Sequence, residues 1–218
     1  MNNTLYDSVA KAGLPVTHVC EVGVYLPETS NVLGWVYEGI RTTLVECDPI
    51  IVRTLKEHFG NHPHVSTIDV AVANEPGTLT LYRTGASTFG SNVSASPAQI
   101  NDGYRPDDKD AFTARAVTFD SIDDGSIDIL SIDIEGGEWN VLRHMISRPQ
   151  IISIETHGKR YVNPFKAEIE QWMRDNGYGT WYTDATDTVY RKGWKDPSVD
   201  RSPRTSLWKQ IKKLIRGY

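Results

Sequence analysis

The chain has 218 residues, a length that suits one α/β domain with a real hydrophobic core. Hydrophobic residues make up 39% and charged residues 23%, which argues against a disordered chain, and the net charge of −5 argues against a general nucleic-acid binder. Cys20 and Cys47 sit in strand-like apolar runs without zinc spacing, so they read as buried thiols of a reducing compartment. No uncharged apolar run approaches a membrane span, and Met1 to Thr4 lack the basic and apolar regions of a signal peptide. A cytoplasmic location is the expectation.

Strands and helices alternate along the chain. A short helix is expected over 3–11 and a first strand over 16–24. Pro27 starts a helix running to Tyr37, because the first helical turn needs no amide donor. Arg41 to Glu46 reads as the second strand, Pro49 to Phe59 as the second helix of this alternation, and His64 to Ala73 as the third strand. Asn74-Glu75-Pro76-Gly77 then turns into an alternating strand from Thr78 to Tyr82. The segment 84–110, rich in Ser, Gly, Asn, Pro and Asp, reads as a long functional or irregular loop. Strands follow over 113–119, 127–132 and 150–155, and helices over 138–146 and 164–176. Tyr178 to Thr183 and Thr188 to Arg191 form a closing hairpin. The alternation predicts a mainly parallel sheet with helices on both faces and an antiparallel hairpin at its C-terminal edge. The domain is placed at 1–192, with a tail over 193–218.

The chemistry collects at strand ends. The run Ser131-Ile132-Asp133-Ile134-Glu135-Gly136-Gly137-Glu138-Trp139 carries a strand straight into carboxylates and glycines. Ligands of open α/β sheets bind at that edge, and glycine lets backbone approach where a Cβ would clash. A turn with Asp133 and Glu135 as capping acids explains the same residues. The first strand ends in Glu21-Val22-Gly23-Val24 and the second in Glu46-Cys47-Asp48. A carboxylate at the end of a second parallel strand can accept two hydrogen bonds from ribose hydroxyls. Nothing matches Gly-x-Gly-x-x-Gly, which disfavours a nicotinamide dehydrogenase.

These segments, in this order, resemble the FkbM family of S-adenosylmethionine-dependent methyltransferases. The resemblance rests on His18 to Gly23, Thr43 to Pro49, Val70 to Asn74 with Gly77, Thr118 to Ile122, Leu130 to Glu138, and Ile151 to His157. It implies a class I methyltransferase (Rossmann-like) fold. It further implies that Glu21 and Gly23 lie beside the methionine end of the cofactor and that Glu46 binds the ribose, with Cys47 next to it. Asp69 and Val70 would lie near the adenine, and Asp133 would face the reaction centre. Where the family's first motif continues with an asparagine and a second glycine, this chain has Tyr25 and Pro27.

Methyl transfer to a hydroxyl needs an in-line approach and removal of a proton. Asp133, Glu135, Glu155 and His157 are the candidate catalytic residues. Histidine titrates near neutrality, which suits a base, and a polar loop residue is the alternative reading of His157. Glu155 ends an apolar run, where a carboxylate is costly to bury without a partner. Asp133 and Glu155 end adjacent strands, where they can hold Mg2+ against a sugar diol or orient the substrate directly. Lys159, Arg160 and Tyr161 suit a phosphate or an acidic sugar, or form a solvated basic loop. Ser87-Thr88-Phe89 forms part of a lid or acceptor pocket, or a surface loop.

In the tail, Leu207, Trp208, Ile211, Leu214 and Ile215 share one helical face flanked by Lys209, Lys212, Lys213 and Arg216. Such a stripe, Leu207 to Ile215, suits peripheral membrane binding or self-association, or packing on the chain itself. Many members of the resembled family modify glycans or glycosylated metabolites. The expected activity is therefore O-methylation of a saccharide or glycoconjugate hydroxyl. A protein, lipid or small aromatic acceptor, or a non-catalytic cofactor-binding module, is the alternative.

Overall fold

A seven-stranded sheet carries the site in the computed structural model, which describes residues 4–84, 87–90 and 96–195. Its first half contains α1 (Thr4–Ala12), β1 (His18–Val22), α2 (Leu33–Tyr37), β2 (Arg41–Glu46), α3 (Pro49–Phe59) and β3 (Val65–Asp69). Next come β4 (Ala71–Val72), β5 (Gly77–Thr84), β6 (Ser87–Gly90), α4 (Pro97–Asp102) and β7 (Ala111–Val117). The rest is β8 (Ile129–Ile132), α5 (Glu138–Arg143), β9 (Ile151–Glu155), α6 (Lys166–Asp175), β10 (Tyr178–Thr183) and β11 (Asp187–Lys192). The sheet order is β10-β11-β9-β8-β1-β2-β3. Strands β9, β8, β1, β2 and β3 pair in parallel, whereas β11 runs antiparallel to both its neighbours. The C-terminal hairpin is therefore present, but its second strand is inserted inside the sheet and its first strand forms the edge.

Strands β1, β8 and β9 are buried along their whole length, as a parallel sheet covered on both faces requires. Their side chains alternate between two cores. Cys20, Leu130, Ile152 and Ile154 pack with Val141 and Leu142 of α5 and Ile169 and Met173 of α6. Val19, Ile129 and Ile151 pack on the other face with Val9 of α1, Trp35 of α2 and Leu55 and Phe59 of α3. This is the doubly covered α/β architecture expected from the alternation.

Three expectations are corrected. The helix from Pro27 to Tyr37 is broken into a 3-10 turn at Pro27–Thr29 and α2, because Ser30 and Asn31 turn inward to Glu21. The third strand splits after Asp69: Val70 donates its amide to the Glu46 carbonyl, and β4 leaves to join β7. That departure starts a second sheet, β4-β7-β5-β6, which the alternation did not announce. The loop over 84–110 contains β6 and α4 among its described residues.

One ion pair ties the second sheet to the first. Asp48 caps α3 by accepting from the Ile50 amide at 2.8 Å and also pairs with Arg83 of β5. Arg83 lies 4.8 Å over the Phe112 ring of β7. Burial pushes the Asp48 carboxyl up, but Arg83 and the Ile50 amide more than offset it, so its pKa is lowered. Beyond Lys192, Gly193 donates to the Gly177 carbonyl at 2.8 Å and Trp194 packs against Trp181 of β10. The stripe Leu207 to Ile215 lies outside the described residues. Among the described residues no helix is long and apolar enough to cross a membrane.

Arg83→Met strands the Asp48 carboxylate, which is only 1% exposed. The expected loss is about 3 kcal/mol, the low end for breaking a buried pair. Urea denaturation of Arg83→Met, Asp48→Asn and the double variant checks this. Most of the loss should return in the double variant, and simple additivity would show that the pair is not coupled.

Candidate active site

A cavity of about 660 Å³ opens at the carboxyl ends of the parallel strands, within the size range of small-molecule sites. Glu21, Gly23, Glu46, Cys47, Val70 and Asp133 all line it. Asp69 does not. It is the exposed last residue of β3, whereas Val70, where the chain leaves the strand, is buried and reaches the wall.

Three buried glutamates shape the rim by accepting hydrogen bonds from the loops around them. Glu46 Oε1 accepts from the amides of Cys47 and Asp48, both at 2.7 Å, and Oε2 accepts from the Val24 amide at 3.0 Å. A carboxylate offers about four acceptor positions. Among the described residues three of these are taken, and one is left on Oε2. Glu21 Oε2 accepts from the Ser30 hydroxyl at 2.5 Å and Oε1 from the Asn31 amide at 3.0 Å. Burial pushes the Glu21 carboxyl up to about 7, against the lowering effect of those donors. Glu138 Oε1 accepts from the amides of Ile134 and Gly136, both at 3.0 Å, and Oε2 accepts from the Asn163 side chain at 2.5 Å.

Gly23 is required twice over. Its φ of +85° is left-handed, and a Cβ there would stand 1.7 Å from the Asp133 carbonyl oxygen. This close approach locks the exits of β1 and β8 together, with the Asp133 amide donating to the Val22 carbonyl at 2.9 Å. Glu135 follows with φ +58°, an uncommon conformation for a residue with a side chain, and lines the cavity.

Asp133 and Glu155 come together as their strands predict, since Ile132 pairs with Ile154 immediately before them. Asp187 of β11 pairs with Glu155 on the other side. Three adjacent strands thus bring acids together at this sheet edge, where Asp133 and Asp187 line the cavity and Glu155 does not. Asp133 is open to the cavity but enclosed by protein elsewhere. Burial first, then Glu135 and Asp187, raises its pKa well above the usual carboxylate range. Glu155 is 7% exposed and is pushed up to about 10 by burial and then by Asp133 and Glu135. Asp187 is raised by burial, although its oxygens accept from the Ser153 and Thr186 hydroxyls at 2.8 and 2.9 Å.

His157 sits beside this group but not on the cavity wall. Its ring nitrogens meet the Thr156 hydroxyl at 3.0 Å and the Asp184 carbonyl at 3.1 Å. That geometry ties the β9 exit to the β10–β11 turn. Lys159 and Arg160 are exposed and off the wall. Thr88 of β6 is on it, and Phe89 is buried against Tyr82 and Tyr104. Glu138, Asp187 and Asn163 were given no role by sequence reasoning. Glu138 looks like a helix-start acid, and Asp187 like a turn residue. The insertion of β11 beside β9 shows otherwise for Asp187, and the three donors around Glu138 show otherwise for it.

Glu21 gives a pH test. Its pKa is raised from 4.5 to about 7, so the folded chain keeps a proton that the unfolded chain loses across that window. Its ionisation therefore lowers stability as pH rises through the window. Glu21→Gln should flatten the stability–pH curve there by up to about 1.4 kcal/mol per pH unit. Urea unfolding of both proteins at several pH values checks this, and parallel curves would refute it.

Comparison with known proteins agrees with this geometry. No curated protein matches the chain. Among solved structures, a putative caffeoyl-CoA O-methyltransferase from Staphylococcus aureus is similar with a TM-score of 0.52 at 14% identity, covering 88% of this chain and 84% of that one. That likeness shows the shared fold. A predicted O-methyltransferase from Agrobacterium tumefaciens aligns with a TM-score of 0.44 at 13% identity, over 89% of this chain and 82% of its own. The model of the methyltransferase FkbM domain matches residues 21–179, which supports S-adenosylmethionine as the cofactor of the cavity. That match takes in every strand of the main sheet except β11 and part of β1 and β10, and every rim glutamate, so the chain belongs to the FkbM-domain methyltransferases.

Proposed function

We propose that the protein transfers the methyl group of S-adenosylmethionine to a hydroxyl of a saccharide or glycoconjugate. The observation that carries this reading is the cavity wall. Glu21, Glu46, Asp133, Glu135, Asp184 and Asp187 line it, against Arg143 as the basic residue among the described lining. Carboxylates accept from hydroxyls, so such a wall suits a polyhydroxylated acceptor. An aromatic acceptor asks for apolar walls, and a nucleic acid asks for cations to meet its phosphates.

The residues fit the cofactor. Glu46 has an acceptor position left for a ribose hydroxyl, and Val70 with Leu79 and Leu81 supplies an apolar surface for a base. Glu21 and Asp133 put carboxylates where a positively charged ligand end gains from them. When bound, the cofactor supplies a methyl group activated by its sulfonium. Asp133 is assigned as acceptor of the hydroxyl proton because its carboxylate opens onto the cavity. Glu135 and Asp187 stand close enough to act on its charge, and Glu138 fixes the turn that carries it.

Isotope-labelled S-adenosylmethionine offered with saccharide, catechol and peptide acceptors tests the reading. A methylated saccharide is expected. Asp133→Asn should cut kcat by about 10²–10⁴-fold, the range for a general base, while the Tm moves little. Glu46→Gln should weaken cofactor binding about ten-fold by calorimetry, equivalent to about 1.4 kcal/mol. Transfer to catechols or peptides alone would overturn the acceptor class, and cofactor binding without transfer to any acceptor would favour a binding module.

A further inference from the structure

We propose that Asp133, Glu138 and Glu155 together bind a divalent cation that prefers oxygen ligands. Each offers one carboxylate oxygen, and the three oxygens lie within 4.8 Å of one another at the ends of β8 and β9. A second observation sets this group apart from an ordinary acidic cluster. Glu155 is 7% exposed, and its Oε2 has no hydrogen-bond partner among the described residues. An ionised oxygen buried without donor or cation carries the penalty of an uncompensated charge. The Tyr161 hydroxyl, 1% exposed, is also without a partner there. It lies near enough to Glu138, Glu155 and Asp133 for their charges to add to the effect of burial in holding its proton.

Among the described residues no lysine, arginine or histidine forms an ion pair with the three acids. The ion pairs among the described residues involve Arg41, Arg83, Lys109 and Arg174, all elsewhere. The group is also held ready for a ligand. The Ile134 and Gly136 amides and Asn163 fix Glu138 in place, and Asn163 binds the Glu155 carbonyl at 3.1 Å as well. Asp133 opens onto the cavity, so a cation held here would face a ligand in it.

The spacing suits a hard cation. Two oxygens on opposite sides of Ca2+ stand at most about 5 Å apart and on Mg2+ about 4.2 Å, from their usual bond lengths. A three-carboxylate set with open positions leaves room for water or acceptor hydroxyls. This consequence rests on the proposed function: the cation would hold two neighbouring hydroxyls of the acceptor and acidify one of them.

The test uses the full chain, freed of metal by chelator and dialysis, with Mn2+ as the probe and neither cofactor nor acceptor present. Electron paramagnetic resonance should show saturable binding of one Mn2+ per chain, displaced by Mg2+ or Ca2+. Glu155→Gln should weaken binding at least ten-fold, and Mn2+ should raise the Tm of the parent but not of the variant. Asp133→Asn, at a position open to the cavity, provides a second variant should Glu155→Gln fail to fold. Absence of saturable binding, or binding that both variants leave unchanged, overturns the proposal and means that protons alone neutralise the group. Intact Mn2+ binding in a protein that transfers methyl to no saccharide would sustain the site and count against the function.

Discussion

A carboxylate held away from water must be given donors, and at this sheet edge the loops supply them. Glu21, Glu46 and Glu138 each accept from backbone amides of the segment that follows β1, β2 or β8. An amide bonded to an ionised acceptor is worth more than a neutral pair, roughly 1.5–3 kcal/mol. The three loops are therefore not free to wander. Their paths are set by side chains projecting from the sheet and from the first turn of α5. The cavity between them inherits that rigidity, which is what a site needs to hold a reacting geometry.

The same device divides labour among the acids. Those that accept several amides form the frame. Asp133 and Glu155 have fewer donors, and neighbouring carboxylates add to burial in raising their pKa values. Burial acts on both sets, and the number of donors separates them. Gly23 lets the β1 and β8 exits touch, so that these acids share one small volume.

Much of this was legible in the sequence because the relevant signals are local. Arg41 to Glu46 and Pro49 to Phe59 match β2 and α3, since an apolar run ending in an acid and an Asp-Pro start leave little ambiguity. The expected pairing of the strands that end in Asp133 and Glu155 is observed as β8 against β9. What stayed hidden depends on pairing between distant segments. Two-residue β4 carries no periodic signal, so the second sheet could not be read. Ser30 and Asn31 look helical until Glu21 claims them. Asp187 acquires meaning only when β11 slots beside β9, and Glu138 looks like any acid at a helix start until its three donors are seen.

The inserted position of β11 also bears on how the chain reaches this state. In chain order it is the last strand of the main sheet, yet it lies between β9 and β10. Until it arrives, β9 presents an unpaired edge of three isoleucines and one serine before Glu155, open to mispairing with another chain. During synthesis the nascent sheet therefore stays aggregation-prone until its final strand has been made, a hazard that chaperones exist to cover. Closure of that gap also delivers Asp187 to the site. Assembly of the acidic end is thus coupled to completion of the sheet, and a truncated chain would lack both.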